Sequence, residues 1–166
     1  DVNFIDSFSK LSRPTKYLDK VSIDLTSLAR RMQIGFLIGH DREFDQMMNI
    51  LLRPGLNNVM LIGEPGSGKE TMVMYLAMKI VFDEVPGALF DKRLIMLNIG
   101  EITQGAQNVG ELQTRLSKIV KEIIEAGNII LYIPNIYNLK QTNIENTGIN
   151  AADFLKQIFQ SSLVPI

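Results

Sequence analysis

The 166-residue sequence has no cysteine, no tryptophan and a single histidine, His40. Without cysteine there is no disulfide, no thiol nucleophile and no thiolate metal site. One histidine cannot build a histidine-rich metal centre. Charge of one sign is also lacking: 17 basic residues stand against 18 acidic ones, for a net charge of −1. No strong field therefore recruits nucleic acid or acidic lipid, and neither is expected as a partner. No apolar run approaches the roughly 20 residues of a membrane span. No signal peptide is visible, although the chain does not begin with Met. A soluble protein of the cytoplasm or an organelle lumen is the expectation.

What is present is an ordinary globular balance, 46% apolar and 21% charged, in a length that suits one domain with a sizeable core. The first twenty or so residues are polar and irregular and read as a linker or arm. From Asp41 to Leu52 the set Phe44, Met47, Met48 and Leu51 follows helical spacing, and Pro54-Gly55 ends it. Val59 to Ile62 is a short apolar run that predicts a buried strand. A helix with Val73, Leu76, Ala77 and Ile80 on one face follows a glycine-rich stretch. Leu94 to Ile99 reads as a second strand, and Gly100 to Gly110 as a loop. Leu112, Leu116, Ile119, Val120 and Ile123 mark another helix, closed by Gly127. Ile129 to Ile133 is a third strand, stopped by Pro134, which cannot donate to a ladder. A last helix carries Phe154, Leu155, Ile158 and Phe159, with Asn150 as its cap. Strands alternating with helices predict an α/β fold: a parallel sheet with helices on both faces.

Gly63-Glu64-Pro65-Gly66-Ser67-Gly68-Lys69 fits the phosphate-loop pattern as far as its lysine. Glycines let backbone N–H groups curl around an anion, and the next helix points its positive end at it. Lys69 would neutralise the outer phosphates. The next position should be a Ser or Thr whose hydroxyl holds Mg²⁺. It is Glu70, and Thr71 comes one residue late, a turn of about 100° around the helix. A carboxylate 4 Å from a phosphate charge is repelled by about 4 kcal/mol at an effective dielectric of 20. ATP or ADP is therefore expected to bind weakly, and the use of Mg²⁺ is left open, since Glu70 could itself ligate a metal.

Several blocks in order resemble the first nucleotide-binding domain of Clp-type AAA+ chaperones and unfoldases. Leu37-Ile38-Gly39-His40-Asp41-Arg42-Glu43 resembles the family's "VIGRDEE", with His40 in place of arginine. Gly63 to Lys69 resembles "GEPGVGK", Asp91 to Leu94 matches "DKRL", and Glu125 to Leu131 matches the start of "EAGNIILFIDE". Ala151-Ala152 and Leu155-Lys156 resemble "AANLLKP". The resemblance implies a phosphate-loop NTPase fold, the large subdomain of an AAA+ module. It implies adenine near Leu37 and Ile38, phosphates on Glu64, Pro65, Gly66, Ser67, Gly68, Lys69, Glu70 and Thr71, and assembly with other Clp-type subunits in a hexameric ring. A Clp protease core is a further expected partner. On this reading residues 1–35 are an arm and 36–166 a partial domain, the polar sensor, arginine finger and helical lid lying beyond it.

Besides Glu70 at the metal-ligand position, the same resemblance locates two further departures. The acidic pair that holds Mg²⁺ and activates water is replaced by Pro134 and Asn135. Proline offers no ligand and an amide is no base. The pore loop "GAKYRGE" becomes Gly105 to Glu111, with Asn108 at the gripping aromatic and Val109 beside it. No catalytic and no metal residue is therefore assigned. The expected function is a degenerate Clp-type nucleotide-binding domain with weak ATP binding and little hydrolysis. An active Clp-type unfolding ATPase with Glu70 as an atypical metal ligand is the alternative. A small-molecule kinase is a third reading, but no Arg- or Lys-rich substrate site stands beside Lys69.

Overall fold

The computed structural model describes residues 14–31, 39–55, 57–104 and 106–134. Three strands, β1 (Ser22–Asp24), β2 (Arg93–Leu97) and β3 (Ile129–Tyr132), form one sheet in that order. β2 and β3 are parallel, with Arg93 opposite Ile129 and Met96 opposite Tyr132. β1 runs antiparallel on the other edge of β2, Ser22 opposite Leu97 and Asp24 opposite Ile95. The expected parallel pair is present, and the sheet formed by the described residues is mixed.

Both faces of the sheet are covered, as the strand sequences require: near-continuous apolar runs suit burial on two sides. Because side chains alternate along a strand, β2 and β3 feed two separate cores. Ile95, Leu97, Ile129 and Leu131 pack with Leu112, Leu116, Ile119 and Ile123 of α5 (Val109–Ala126). Leu94 and Ile130 point the other way. They meet α1 (Leu25–Arg30), α2 (Asp41–Leu51) and α3 (Lys69–Val81) through Leu25, Met47, Leu51, Val73, Leu76 and Ile80. Phe44 of α2 meets Tyr75 of α3 edge to face, ring centroids 5.0 Å apart.

Three local differences from expectation have physical causes. The run Val59–Ile62 forms no ladder among the described residues. It keeps a strand's alternation, Val59 and Leu61 half-buried against the α1–α3 core and Met60 and Ile62 exposed. The glycine-rich stretch after β2 begins with a short helix, α4 (Ile99–Thr103), because Asn98 caps it: its Oδ1 accepts the N–H of Glu101. The segment before residue 31, expected as an arm, supplies β1, α1 and the buried Thr15, Leu18, Leu25 and Thr26. The expected helix after Asn150, with Phe154 to Phe159, lies outside the described residues.

The arm is tied to the sheet by one guanidinium. Arg93 donates from Nε to Asp24 Oδ2 (3.0 Å), from Nη1 to Thr15 Oγ1 (2.9 Å) and from Nη2 to Asp19 Oδ1 (3.2 Å). Asp24 also caps α1, accepting the Ser27 N–H at 2.9 Å. On the other side Glu122 of α5 accepts the backbone N–H groups of Tyr17 and Leu18. Arg93→Ala removes three hydrogen bonds, leaving Thr15 and Asp19 only each other and Asp24 only its bonds within the α1 cap, and is expected to cost about 2 kcal/mol, the scale of a charged hydrogen-bond set at a half-buried site. Arg93→Lys recovers only part of it, since one ammonium cannot span three acceptors in a planar fork. Chemical denaturation of the parent and both variants checks this; equal midpoints would refute it.

Candidate functional site

The sequence 63–71 builds a turn that ends on a helix N-terminus. Gly66 (φ +81°) and Gly68 (φ +85°) are both left-handed, a conformation in which a side chain is strained. Gly63 is constrained differently: a Cβ there would sit 2.6 Å from Ser67 Oγ. Ser67 N–H donates to Glu64 O (3.1 Å), closing the turn, and Gly68 O accepts the Met72 N–H as α3 begins. The loop is exposed except for half-buried Gly68 and Lys69. Backbone N–H groups at the start of an α-helix, approached by glycines without side chains, form an anion cradle. The phosphates of a nucleotide fit it.

The charges of the cradle are less favourable. Lys69 is folded onto its own loop: Nζ donates to Gly63 O (2.7 Å), Glu64 O (2.7 Å) and Ser67 Oγ (3.3 Å). An anion must draw the ammonium off these oxygens. Glu70 is exposed in the first turn of α3, where a carboxylate interacts well with the helix dipole. It also acts on Tyr132, the last residue of β3. Burial, and after it the Glu70 charge, push the Tyr132 phenol above its ordinary value of 10. The start of α3 and the end of β3 thus share one electrostatic environment. Tyr132 escaped sequence reasoning as a site neighbour; its signal was its place at the end of β3, two residues before Pro134.

Among the described residues no three acidic or histidine side chains gather to hold a metal. Pro134, half-buried just after β3, brings no donor, and Thr71 is exposed. Leu37, Ile38 and Asn135 lie outside the described residues.

His40 lies beside the loop as well. It and Gly39 take left-handed backbone angles, φ +63° and +79°, at the start of α2.

The expected pore-loop position has a local role. Asn108 is the N-cap of α5, and its Oδ1 accepts the Glu111 N–H at 2.9 Å. Glu111 reaches back and accepts the Gln107 N–H at 3.0 Å, a reciprocal capping pair. Arg115 closes the arrangement, donating to Glu111 Oε1 (2.7 Å) and to Gln104 O (2.8 Å). The resulting tip is polar and carries no ring.

Residues 59–162 match the family model described as ATPase family associated with various cellular activities (AAA). The chaperone protein ClpB of Wolinella succinogenes is 40% identical over 139 residues, 84% of this chain and 16% of that protein. The ATP-dependent Clp protease ATP-binding subunit ClpC of Staphylococcus aureus is 39% identical over 145 residues, 87% of this chain and 18% of its own. Among solved structures, the S. cerevisiae Hsp104-ADP complex superposes with a TM-score of 0.74 at 33% identity, covering 90% of this chain and 26% of that one. The chain thus spans less than a fifth of the length of these two sequence relatives.

Two predictions follow from the α5 cap. Asn108→Ala removes the side-chain acceptor and should lower stability by about 1 kcal/mol, with Asn108→Ser close to the parent. Glu111 gives the pH dependence. Its carboxyl is held below the ordinary 4.5, first by the Gln107 N–H and then by Arg115. Its contribution is therefore complete above 4.5 and is lost as pH falls through the lower, folded value. The protection of the Gln107 amide, its exchange rate relative to the intrinsic rate at the same pH, should fall on acidification below 4.5 in the parent and show no such step in Glu111→Gln. A step of equal size in both would refute the assignment.

Proposed function

This chain belongs to the ATPase family associated with various cellular activities, and we propose that it is the nucleotide-binding module of a Clp-type chaperone whose hydrolytic site is degenerate. The observation that carries the reading is the junction of loop and strand. The turn from Gly63 to Lys69 keeps the glycine geometry of an anion cradle, while the chain leaving β3 carries Pro134 instead of a carboxylate two residues past the strand's end. Binding needs only backbone N–H groups, small residues and a lysine. Hydrolysis needs in addition a metal ligand and a base to orient water.

Bound nucleotide would place its phosphates on Gly66 to Lys69, and the resemblance puts the adenine near Leu37 and Ile38. Lys69 would turn from its own carbonyls to the outer phosphate. Glu70 opposes that anion, so affinity is weak and the contribution of Mg²⁺ small. The weak nucleotide site suits a subunit that serves assembly or regulation in a ring with other Clp-type subunits, and the similarity to ClpC extends the proposal to a protease core as partner. The polar tip of Gln107 and Asn108 lacks the aromatic grip of a translocating subunit, which supports the same role. The second reading, an active unfolding ATPase, rests on Glu70 acting as a metal ligand near the end of β3, where its charge reaches Tyr132.

Calorimetry with ATP, with and without Mg²⁺, separates the two. Glu70→Thr should bind ATP about tenfold more tightly and gain dependence on Mg²⁺, since it removes a repelling charge and adds the missing hydroxyl. Lys69→Ala should abolish binding at this site. In the full-length protein, the ATP turnover that disappears with Lys69→Ala should be negligible. A substantial Lys69-dependent turnover that Glu70→Thr destroys would instead support the active enzyme.

A further inference from the structure

We propose that His40 is a phosphate ligand of this loop: its imidazole donates from Nε2 to the nucleotide's phosphate oxygens. The inference rests on the reading of 63–71 as a phosphate site and adds a residue from a different element to it. Nε2 and Cδ2 of His40 lie 3.9 and 4.0 Å from the point that a Cβ on Gly68 would occupy. Gly68 is the residue whose left-handed turn starts α3, so the ring edge flanks the first N–H groups of the cradle. The other ring nitrogen, Nδ1, is 3.8 Å from Glu43 Oε2, which leaves Nε2 as the nitrogen on the loop side. The ring is about half exposed and has room to meet a ligand.

The backbone sets this orientation. Two consecutive left-handed residues, Gly39 and His40, bend the chain just before α2. A histidine at positive φ is uncommon, and such a conformation persists where the surroundings hold it. Its side chain makes no capping hydrogen bond to α2, so the cap does not account for the ring's position.

The charge balance of the loop gives the ring a task. Glu43 on its own helix meets the ring, and the charged side chains of the elements around it are Asp41 on α2 and Glu64, Lys69 and Glu70 on the loop and the first turn of α3. Lys69 alone among the loop's charges favours an anion, and it is shared among three loop oxygens. A donor that comes from outside the loop adds to Lys69 in offsetting the carboxylates. The ligand class is a nucleoside di- or triphosphate, recognised through its phosphate chain.

Calorimetry on the full chain with ADP and with inorganic pyrophosphate tests the assignment, since pyrophosphate carries the anion without base or sugar. The variants are His40→Asn, which tolerates the left-handed backbone, His40→Arg, which restores a donor of longer reach, and Lys69→Ala. His40→Asn should weaken both probes about tenfold, the effect of one charged hydrogen bond. His40→Arg should bind both at least as well as the parent, at an unchanged melting temperature. Equal affinity of the parent and His40→Asn for pyrophosphate overturns the inference, even if ADP weakens, because the ring then serves base or sugar. Failure of His40→Arg to restore what His40→Asn loses overturns it too, as the ring would then be structural. If the parent binds neither probe, or Lys69→Ala leaves both unchanged, the phosphate-loop reading itself fails and His40 falls with it.

Discussion

The parallel pairing of β2 with β3 is the contact on which the rest of the fold depends. Each strand is buried on both sides, so each sends alternate side chains into different cores. Ile95, Leu97, Ile129 and Leu131 hold α5, while Leu94 and Ile130 hold α1, α2 and α3. A shift of one residue in either strand would exchange the two faces. Register is therefore fixed by hydrophobic demand from two directions at once. It also fixes the site: β3 carries Tyr132 to the core that holds α3, where the charge of Glu70 in the first turn of α3 reaches it. The same pair explains the arm, because Arg93 opens β2 and its guanidinium reaches Thr15, Asp19 and Asp24.

Most of this was legible in helical and strand periodicity. The inward faces of α2, α3 and α5 fall on the residues that the spacing picked out, because a stripe of apolar side chains repeats every three or four residues whatever it packs against. The parallel pair followed from two strands joined through a helix. The phosphate loop was legible because glycine is needed where φ is positive, and Gly66 and Gly68 are at +81° and +85°. Less legible was whatever depends on partners distant in sequence. β1 is three residues long, one of them exposed Ile23, and carries no strand signal of its own. It is recruited by the edge of β2 and by Arg93, about 70 residues away. The run Val59–Ile62 had the composition of a central strand, but composition does not supply a neighbour, and none pairs with it among the described residues. The nearness of His40 to Gly68 was equally invisible, since it depends on how α2 packs against α3.

Three of the positions that depart from the Clp pattern, Glu70, Asn108 and Pro134, hold residues that suit their local structure. Glu70 lies where a helix dipole favours a carboxylate. Asn108 caps α5 and pairs reciprocally with Glu111. Pro134 stands just past the end of β3, where a residue without an N–H removes no ladder bond. In an active site the same positions would carry strain or unpaired charge: a metal ligand facing other carboxylates, an exposed ring at a loop tip, acids at the end of a buried strand. Groups of that kind cost stability wherever function does not need them. Glu70, Asn108 and Pro134 thus suit the fold, while Gly66 and Gly68 keep the left-handed turns of an anion cradle; that combination supports the proposal of a module that binds nucleotide with little hydrolysis.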